Sequence, residues 1–310
     1  MSNKWKIFWI ASFALVVFFQ ACGMHSWQEA LVSTADEKQM GREFDSLIRN
    51  RDPSVMSAGE VIFTPAPGNA AEQALYDYYQ ARAKEVRNAI DSKDWDGLLP
   101  SGNECGRPKQ KCTRENFFEF NIITSKTKNA FAVPGGYVYF YTAILKDFRS
   151  ESELVSVLGH EVGHVVKHHS RDRIVKQVGA SAIIELLLGP GIGGTLASLG
   201  ASFWLTSNGQ GDESESDELG FYYTNKIGIS SQGLSDFFGR GLKSYDSVTV
   251  TCNQEDESSF TDVFSTHPPS CERVNNNTKR IRESGQNFPK DKNFSDDGKS
   301  FTELVTAAGI

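Results

Sequence analysis

Two histidines and a glutamate lie close together in the run His160-Glu161-Val162-Gly163-His164. On an α-helix, residues four apart lie about 40° apart around the axis and one turn along it. Both imidazoles can therefore reach one metal ion, with the Glu161 carboxylate beside it. This is the arrangement of zinc sites in which the glutamate is the general base. A five-residue pattern also occurs by chance, so the interpretation needs a helix and a third ligand.

The surrounding sequence predicts that helix over Glu151 to Arg173. Ser150 and Glu153 form a capping-box pattern at its start. Gly159 and Gly163 each cost about 1 kcal/mol of helix propensity, so we expect a neighbour that packs closely against them. An apolar stripe with a spacing near 3.6 predicts one buried face, formed by Leu154, Leu158, Val162 and Val165. The paired histidines fall on the opposite face. We expect His168 and His169 to lie on the helix surface, and contact with the metal ligands from behind is the alternative.

A third ligand is available in an acidic stretch that leads into a second predicted helix. Glu213 and Asp217 are four apart and share a helical face. This spacing suits a metal-binding carboxylate followed by a second carboxylate that orients a histidine ligand. Glu215 is the alternative ligand, and an acidic run is otherwise ordinary solvated surface. Three protein ligands leave one position for water, which is typical of a catalytic zinc site.

Strand-forming residues precede the histidine helix, at Phe117 to Thr124 and again at Asn129 to Thr142. Pro134 cannot donate a ladder hydrogen bond, and the glycines after it permit close backbone approach, so the second segment belongs at a sheet edge. An edge strand can hold an extended peptide by β-augmentation. The predicted substrate-contact residues are Pro134, Gly135, Gly136 and Tyr137. A hairpin edge without a ligand is the alternative, and the histidine motif nearby favours substrate.

The N-terminus has the features of an export signal. Lys4 and Lys6 precede an apolar run from Ile7 to Phe19 that is too short to span a bilayer. It ends in Phe-Gln-Ala-Cys, which is similar to a bacterial lipobox and predicts lipid modification of Cys22. An ordinary signal peptide with an incidental cysteine is the alternative. We therefore expect a signal peptide over 1–21, a lipidated tether over 22–68 with a short helix around Thr34–Arg49, and a catalytic domain over 69–310.

Four further cysteines remain after Cys22, an even number in an exported chain. Three pairings are possible, and the pairing of neighbours in sequence is the simplest. A zinc site built from four cysteines lacks the usual Cys-x-x-Cys spacing. The sequence therefore predicts disulfides among Cys105, Cys112, Cys252 and Cys271.

Two other features restrict the possible partners. The net charge is −7 over 310 residues with no long basic run, so nucleic acid is not an expected partner. The stretch Val178 to Ser207 is almost uncharged and is broken by glycines, so its two halves are too short to span a bilayer. Either a lid over the site or a hairpin that contacts a membrane surface fits this composition.

Taken together, these motifs resemble peptidase family forty-eight over about Ala70 to Ser284. The resemblance rests on the His160–His164 motif, the Glu213/Asp217 pair, the Asn129–Gly136 strand, and Thr266-His267-Pro268 followed by Arg273. Ser216 departs from the alanine common in the family, and a multi-span membrane domain is lacking. The resemblance implies an α+β fold, a mostly helical zincin of the gluzincin type. It would have a small mixed or antiparallel sheet and an edge strand beside the histidine helix.

The same resemblance implies roles for individual residues. One zinc ion would be held by His160, His164 and Glu213, with Glu161 as the base that takes a proton from water and returns it to the leaving amine. His267 matches a histidine that can bind the zinc and close the site in some members. Asp217 and Arg273 would support the ligands or the transition state. The donor to the oxyanion stays open among Arg273, His267 and Tyr137.

The expected function is zinc-dependent hydrolysis of peptide bonds by an endopeptidase. The lipobox pattern predicts an outer-membrane lipoprotein that faces the periplasm and is bound to the membrane by its lipid anchor. Misfolded or misassembled envelope proteins are substrates implied by the family alone. The alternative is a catalytically quiet zinc-binding lipoprotein that acts as a chaperone or scaffold, and the intact Glu161 favours the enzyme.

Overall fold

The computed structural model describes most of the chain, in the ranges 31–100, 105, 110–178, 208–242, 244–252 and 266–310. The predicted signal peptide and Cys22 lie outside the described residues, as does the Val178 to Ser207 segment beyond its first residue. Within the described ranges, no helix combines the length and the apolar character needed to cross a membrane.

Helices dominate the described chain, and a small sheet lies among them. The helices are α1 Thr34–Arg49, α2 Ala70–Ala89, α3 Ser92–Leu98, α4 Thr142–Asp147, α5 Glu151–Val166, α6 His169–Val178, α7 Gln210–Lys226, α8 Gln232–Gly239, α9 Cys271–Ser284 and α10 Phe301–Ala308. The strands are β1 Val61–Ile62, β2 Glu119–Thr124, β3 Ala130–Val133 and β4 Tyr137–Tyr141. The strand order is β1-β2-β4-β3, with β2 and β4 parallel and the other pairs antiparallel. This mixed sheet in a mostly helical domain confirms the predicted α+β class.

Both faces of the β3–β4 hairpin are buried, because side chains alternate along a strand and helices cover each side. Ala132 and Val138 belong to the core that includes α5 and α2. Phe131 and Tyr139 belong to a second cluster, together with Met40, Phe44 and Ile48 of α1. The sheet is therefore a middle layer between α1 on one side and α2 and α5 on the other.

The α1 helix has the bounds expected from the sequence, and it packs against the sheet. Its Gly41 packs against the Pro134 carbonyl and the Tyr137 ring, where an added Cβ would lie 2.1 Å and 2.6 Å away. Lys38 is buried and donates hydrogen bonds to the carbonyls of Phe117, at 2.5 Å, and Gly135, at 2.8 Å. Apolar residues of α1 therefore cover one face of the sheet, and the boundary at residue 69 stays a prediction.

The α5 helix is buried on all sides and not along one stripe. It starts after Ser150, whose side chain accepts from the Glu153 amide as the capping pattern predicts. It ends at Val166 and not near Arg173, because His168 takes a left-handed conformation with φ 57°. That residue breaks the helix, and α6 begins after it in a new direction.

The small residues of α5 contact α7, as the two helical glycines lead one to expect. A Cβ added to Gly159 would lie 3.0 Å from Gly220 Cα, and one added to Gly163 would lie 3.0 Å from Ser216 Cα. Backbone atoms of the two helices are therefore nearly in contact. This close crossing brings the N-terminal half of α7 beside the histidines of α5.

Both disulfides connect neighbours in sequence, Cys105 with Cys112 and Cys252 with Cys271. The pairing confirms the simplest of the three possibilities. The second disulfide attaches the segment before Cys252 to the first residue of α9, which follows His267 in the chain.

Candidate metal centre

Four side chains converge at the crossing of α5 and α7. One donor atom from each lies within 4.8 Å of the others, and all four residues are buried: His160, His164, Glu213 and His267. The Nε2 atoms of His160 and His164 are 3.0 Å apart. Glu213 Oε1 lies 3.3 Å from His164 Nε2, and His267 Nδ1 lies 2.9 Å from the same oxygen. The structure thus brings together the three predicted ligands and the histidine implied by the family resemblance.

This donor set fits a divalent metal ion. Imidazole nitrogens with a carboxylate are the usual ligands of catalytic zinc. Glu161 Oε2 is buried without a hydrogen bond among the described residues. A buried polar atom without a partner is costly, so this oxygen indicates a place for a solvent molecule beside the four donors. Among the residues that the structure describes, this is the only such group of metal-binding side chains.

Glu161 is placed to accept a proton beside the ligand cluster. Its Oε1 lies 3.1 Å from His267 Nε2 as an ion-pair contact. Burial raises the pKa of Glu161, but His267, His160 and His164 together outweigh burial and hold the pKa below its ordinary value. The carboxylate is therefore ionised at neutral pH, as a general base requires.

Behind His160 lies a buried charge pair formed by Asp217 and Arg273. His160 Nδ1 is 2.9 Å from Asp217 Oδ1. Arg273 donates two parallel hydrogen bonds to Asp217, at 2.7 Å and 2.8 Å, and its third nitrogen lies 2.8 Å from Glu213 Oε2. Burial raises the pKa of Asp217, but Arg273 outweighs it and lowers the pKa to about 2. The guanidinium therefore holds two carboxylates in place, and its Nη1 also donates to the Pro268 carbonyl at 2.9 Å.

Behind His164 lies His169, which is buried, so the expected surface position of this residue is wrong. The Nδ1 atoms of His164 and His169 are 2.8 Å apart, and His169 Nε2 is 3.2 Å from the exposed Glu215. Glu215 therefore contacts His169 and lies outside the group of ligand atoms. His168 is also engaged, 2.8 Å from Glu37 of α1.

Asn208 is a further member of the centre that the sequence did not indicate. Its amide nitrogen donates to Glu213 Oε1 at 3.0 Å, and its oxygen accepts from Arg173 at 2.9 Å. No spacing relates Asn208 to the histidine motif. His169 is likewise five residues after His164, a separation that does not place two residues on one helical face. Neither residue carried a signal in the sequence beyond its type.

None of the four residues predicted to contact substrate lies on β3, the edge strand that pairs with β4. The β3 strand contacts α5. Pro134, Gly135 and Gly136 instead form the turn after it, with φ 75° and 88° at the glycines. A Cβ on Gly135 would lie 2.6 Å from Lys38 Cα, so α1 covers this turn. Contact of substrate with this turn therefore stays a prediction, and the residues of β3 beside the turn are themselves buried.

Tyr137 also lies away from the metal centre. Its side chain belongs to the cluster under α1, and Lys38 lies over its ring at 4.3 Å. The β4 strand alternates its side chains, so Tyr137 faces the side of the sheet opposite to α5. It is therefore not a donor to an oxyanion. On β3 itself, the Ala132 carbonyl accepts a hydrogen bond from Ser170 at 2.9 Å.

Comparisons with known proteins agree with this geometry. The sequence profile of Peptidase family M48 matches residues 103–281, more than half of the chain, and includes all four candidate ligands. The Beta-barrel assembly-enhancing protease of Yersinia pestis is 33% identical over 134 residues, which cover 39% of this chain and 27% of that protein. Metalloprotease LoiP of Escherichia coli is 26% identical over 172 residues, covering 54% of this chain and 64% of that protein.

A third relative gives the same result. Metalloprotease YcaL of Escherichia coli is 30% identical over 176 residues, which cover 52% of this chain and 61% of that protein. In each of the three cases the chain spans less than two thirds of the relative's own length.

Proposed function

The chain belongs to Peptidase family M48, and from this premise we propose that it is a zinc-dependent endopeptidase of the bacterial envelope. The observation that carries the proposal is the group of four buried donors within 4.8 Å, beside the buried carboxylate of Glu161. A structural zinc site would not require a buried, ionised carboxylate beside its ligands.

In this proposal His160, His164 and Glu213 hold the zinc ion. When bound, zinc supplies Lewis acidity toward the scissile carbonyl and toward water. Glu161 accepts the proton of the attacking water and later gives it to the nitrogen of the leaving amine. Arg273 and Asn208 fix the Glu213 carboxylate, and the crossing of α5 and α7 excludes bulk water from behind the ligands.

His267 closes the site in its present position. Its Nε2 lies 3.1 Å from Glu161 and its Nδ1 lies 2.9 Å from Glu213, so the ring lies between the base and the ligands. Burial lowers the pKa of His267, but the two carboxylates outweigh it and raise the pKa to about 10. Replacing this ring by a methyl group opens the space beside Glu161. We expect His267→Ala to degrade an unfolded protein faster than the wild type; equal or slower degradation would count against a gate.

The proposed location rests on the N-terminal sequence and on the bacterial relatives. Removal of residues 1–21 and lipid modification of Cys22 would anchor the catalytic domain to the outer membrane, facing the periplasm. Mass spectrometry of the mature N-terminal peptide tests this directly, and an unmodified Cys22 contradicts the anchor. A Cys22→Ser variant should move from the membrane fraction to the soluble periplasmic fraction.

The proposed substrates are misfolded or misassembled envelope proteins, and the proposed role is their quality control. One relative is named for enhancing β-barrel assembly, which supports a substrate class in the same compartment. Cells that lack the protein should accumulate unassembled outer-membrane proteins, and expression of Glu161→Gln should fail to remove them. No change in the level of any envelope protein would argue against this role.

The activity itself is tested with metal analysis and a casein degradation assay on the wild type and Glu161→Gln. We expect one zinc ion in each protein, cleavage by the wild type that a chelator abolishes, and a loss of at least about 100-fold in the variant. The matched control is Glu218→Gln, the same change at a side chain that is 71% exposed on α7, and it should cleave normally. Zinc in both proteins with cleavage by neither would instead favour a zinc-binding chaperone or scaffold.

A further inference from the structure

We propose that His169 is a positioning residue for the metal ligand His164, and that Glu215 accepts the Nε2 proton of His169. The inference rests on the proposed metal site and deepens it. It assigns a role to a histidine outside the ligand set and to the acidic residue that the sequence offered as a ligand.

The tautomer of His164 follows from the nitrogen that the ring turns toward the other ligands. Its Nε2 is the atom that faces the other ligands, 3.0 Å from His160 Nε2 and 3.3 Å from Glu213 Oε1. A neutral imidazole that binds a metal through Nε2 carries its proton on Nδ1. That proton points to His169, because the two Nδ1 atoms are 2.8 Å apart.

The proton position of His169 follows from that of His164. Since His164 Nδ1 donates, His169 Nδ1 must accept, and the proton of His169 then resides on Nε2. Nε2 lies 3.2 Å from Glu215 Oε2, a carboxylate that can only accept when it is ionised. The three side chains therefore form a chain in which each donor finds an acceptor, from the metal ligand outward to solvent. Ser216 Oγ also contacts His169 Nδ1, at 3.3 Å.

The backbone explains how a residue five positions after His164 can reach it. In one continuous helix, residue 169 would lie about 140° around the axis from residue 164 and would point away. The left-handed conformation of His168 ends α5 and turns the chain back. Glu37 of α1 holds this corner, since it contacts His168 at 2.8 Å and Arg171 at 3.2 Å. Left-handed conformations are uncommon for residues other than glycine, so the packing around the corner maintains it.

The role is testable through zinc binding, without any assay of cleavage. His169→Phe keeps a ring of similar size but removes the acceptor, whereas His169→Gln keeps an oxygen that can accept from His164. Loss of an outer partner of a metal ligand typically weakens metal binding about 10–100-fold. Competition with a chromophoric chelator should therefore give a zinc Kd about 10–100-fold higher for His169→Phe, and most of this loss should be recovered in His169→Gln.

A purely structural role would give a different result. If His169 only fills space, His169→Phe binds zinc within about twofold of the wild type and His169→Gln is the weaker binder, and this result overturns the proposal. Thermal unfolding in excess chelator compares the folding of the three proteins without metal. If the wild type itself takes up no zinc, the proposed function fails, so the two failures are distinguishable.

The tautomers can be read in the wild type alone, which protects the test if a variant does not fold. Long-range proton–nitrogen NMR of the zinc-loaded protein should show the His164 proton on Nδ1 and the His169 proton on Nε2. A His169 proton on Nδ1 would overturn the proposal, because His169 could not then accept from His164.

Discussion

Behind His160 lies a carboxylate that is paired with a guanidinium, whereas behind His164 lies a second imidazole that leads to an exposed carboxylate. We call these the His160 side, with Asp217 and Arg273, and the His164 side, with His169 and Glu215. On the first side every group is buried, and Asp217 and Arg273 are 1% and 9% exposed. On the second side the chain ends at Glu215, whose side chain is 57% exposed.

The difference shows two ways to orient a histidine that is proposed to bind the metal ion. A buried carboxylate attracts the ring strongly but adds a charge that must be neutralised nearby, and Arg273 supplies this neutralisation for both Asp217 and Glu213. A neutral imidazole orients the next ring without adding a charge inside the protein. The His160 side should therefore contribute more to stability, and the His164 side should contribute mainly to metal binding.

The largest effect is expected from Arg273→Leu, which leaves Asp217 and Glu213 buried without their cation. Breaking a buried ion pair by removing one partner costs about 3–5 kcal/mol of unfolding free energy. Urea unfolding in excess chelator measures the loss without interference from metal binding. Arg280→Leu is the control on the same helix, because its one ion pair is 3.9 Å long, with a largely exposed Glu218, and it should cost less than about 1 kcal/mol. Equal losses of unfolding free energy in the two variants would mean that the buried ion pairs of Arg273 stabilise the protein no more than an exposed ion pair does.

Asp217→Asn removes the charge of Asp217 on the His160 side, and its effect on the free energy of unfolding should depend on pH. The pKa of Asp217 is about 2 in the folded protein, below its ordinary value of 3.8, because Arg273 outweighs the effect of burial. A lowered folded-state pKa contributes stability that is present above the unfolded-state pKa and is lost as the pH falls through the folded-state value. The wild type should therefore exceed Asp217→Asn by about 2 kcal/mol above about pH 4.

That difference should shrink as the pH approaches about 2, because the wild-type carboxyl is then also neutral. Urea titrations of both metal-free proteins at a series of pH values measure it. A difference that stays constant from pH 7 down to the folded-state pKa would mean that the charge of Asp217 is not what stabilises the His160 side.

Gly163→Ala tests the crossing of α5 and α7, which positions both the His160 side and the His164 side. The new methyl would lie 3.0 Å from Ser216 Cα and 3.1 Å from its carbonyl, so the helices must move apart. Overpacking costs about 1–3 kcal/mol, and alanine returns about 1 kcal/mol of helix propensity, so a net loss of about 1 kcal/mol is expected. Zinc affinity should fall as well, because Glu213 moves with α7. Gly211, also on α7, has open space around it, so Gly211→Ala should lose neither stability nor zinc affinity.

The smallest effect is expected from Glu215→Gln, because water can replace a partner at an exposed position. Zinc binding should weaken by no more than about threefold, well below the effect of His169→Phe. Chelator competition compares the two variants under the same conditions. A loss of zinc affinity as large as that of His169→Phe would mean that the orientation of His164 depends on the charge of Glu215.

Much of the fold could be predicted from local patterns. The capping residues of α5, the strand-forming run of β2 and the bounds of α1 all follow from sequence signals that act over one or two turns. The two disulfides between cysteines that are neighbours in sequence are also confirmed. A short separation along the chain makes closure of the loop between them easier. The role of α1 could not be predicted in the same way, since nothing local shows that its apolar face covers the sheet.

By itself, the sequence determined which residues could act as ligands, because a spacing of four on a helix places His160 beside His164 and Glu213 beside Asp217 whatever surrounds them. Only the tertiary structure decided how those pairs meet. The approach of α5 to α7 depends on backbone contact between helices distant in sequence, and His169 reaches His164 only through the left-handed turn at His168. Arg273, Asn208 and His267 come from later segments, and packing between elements, which no local spacing encodes, brings them to the centre.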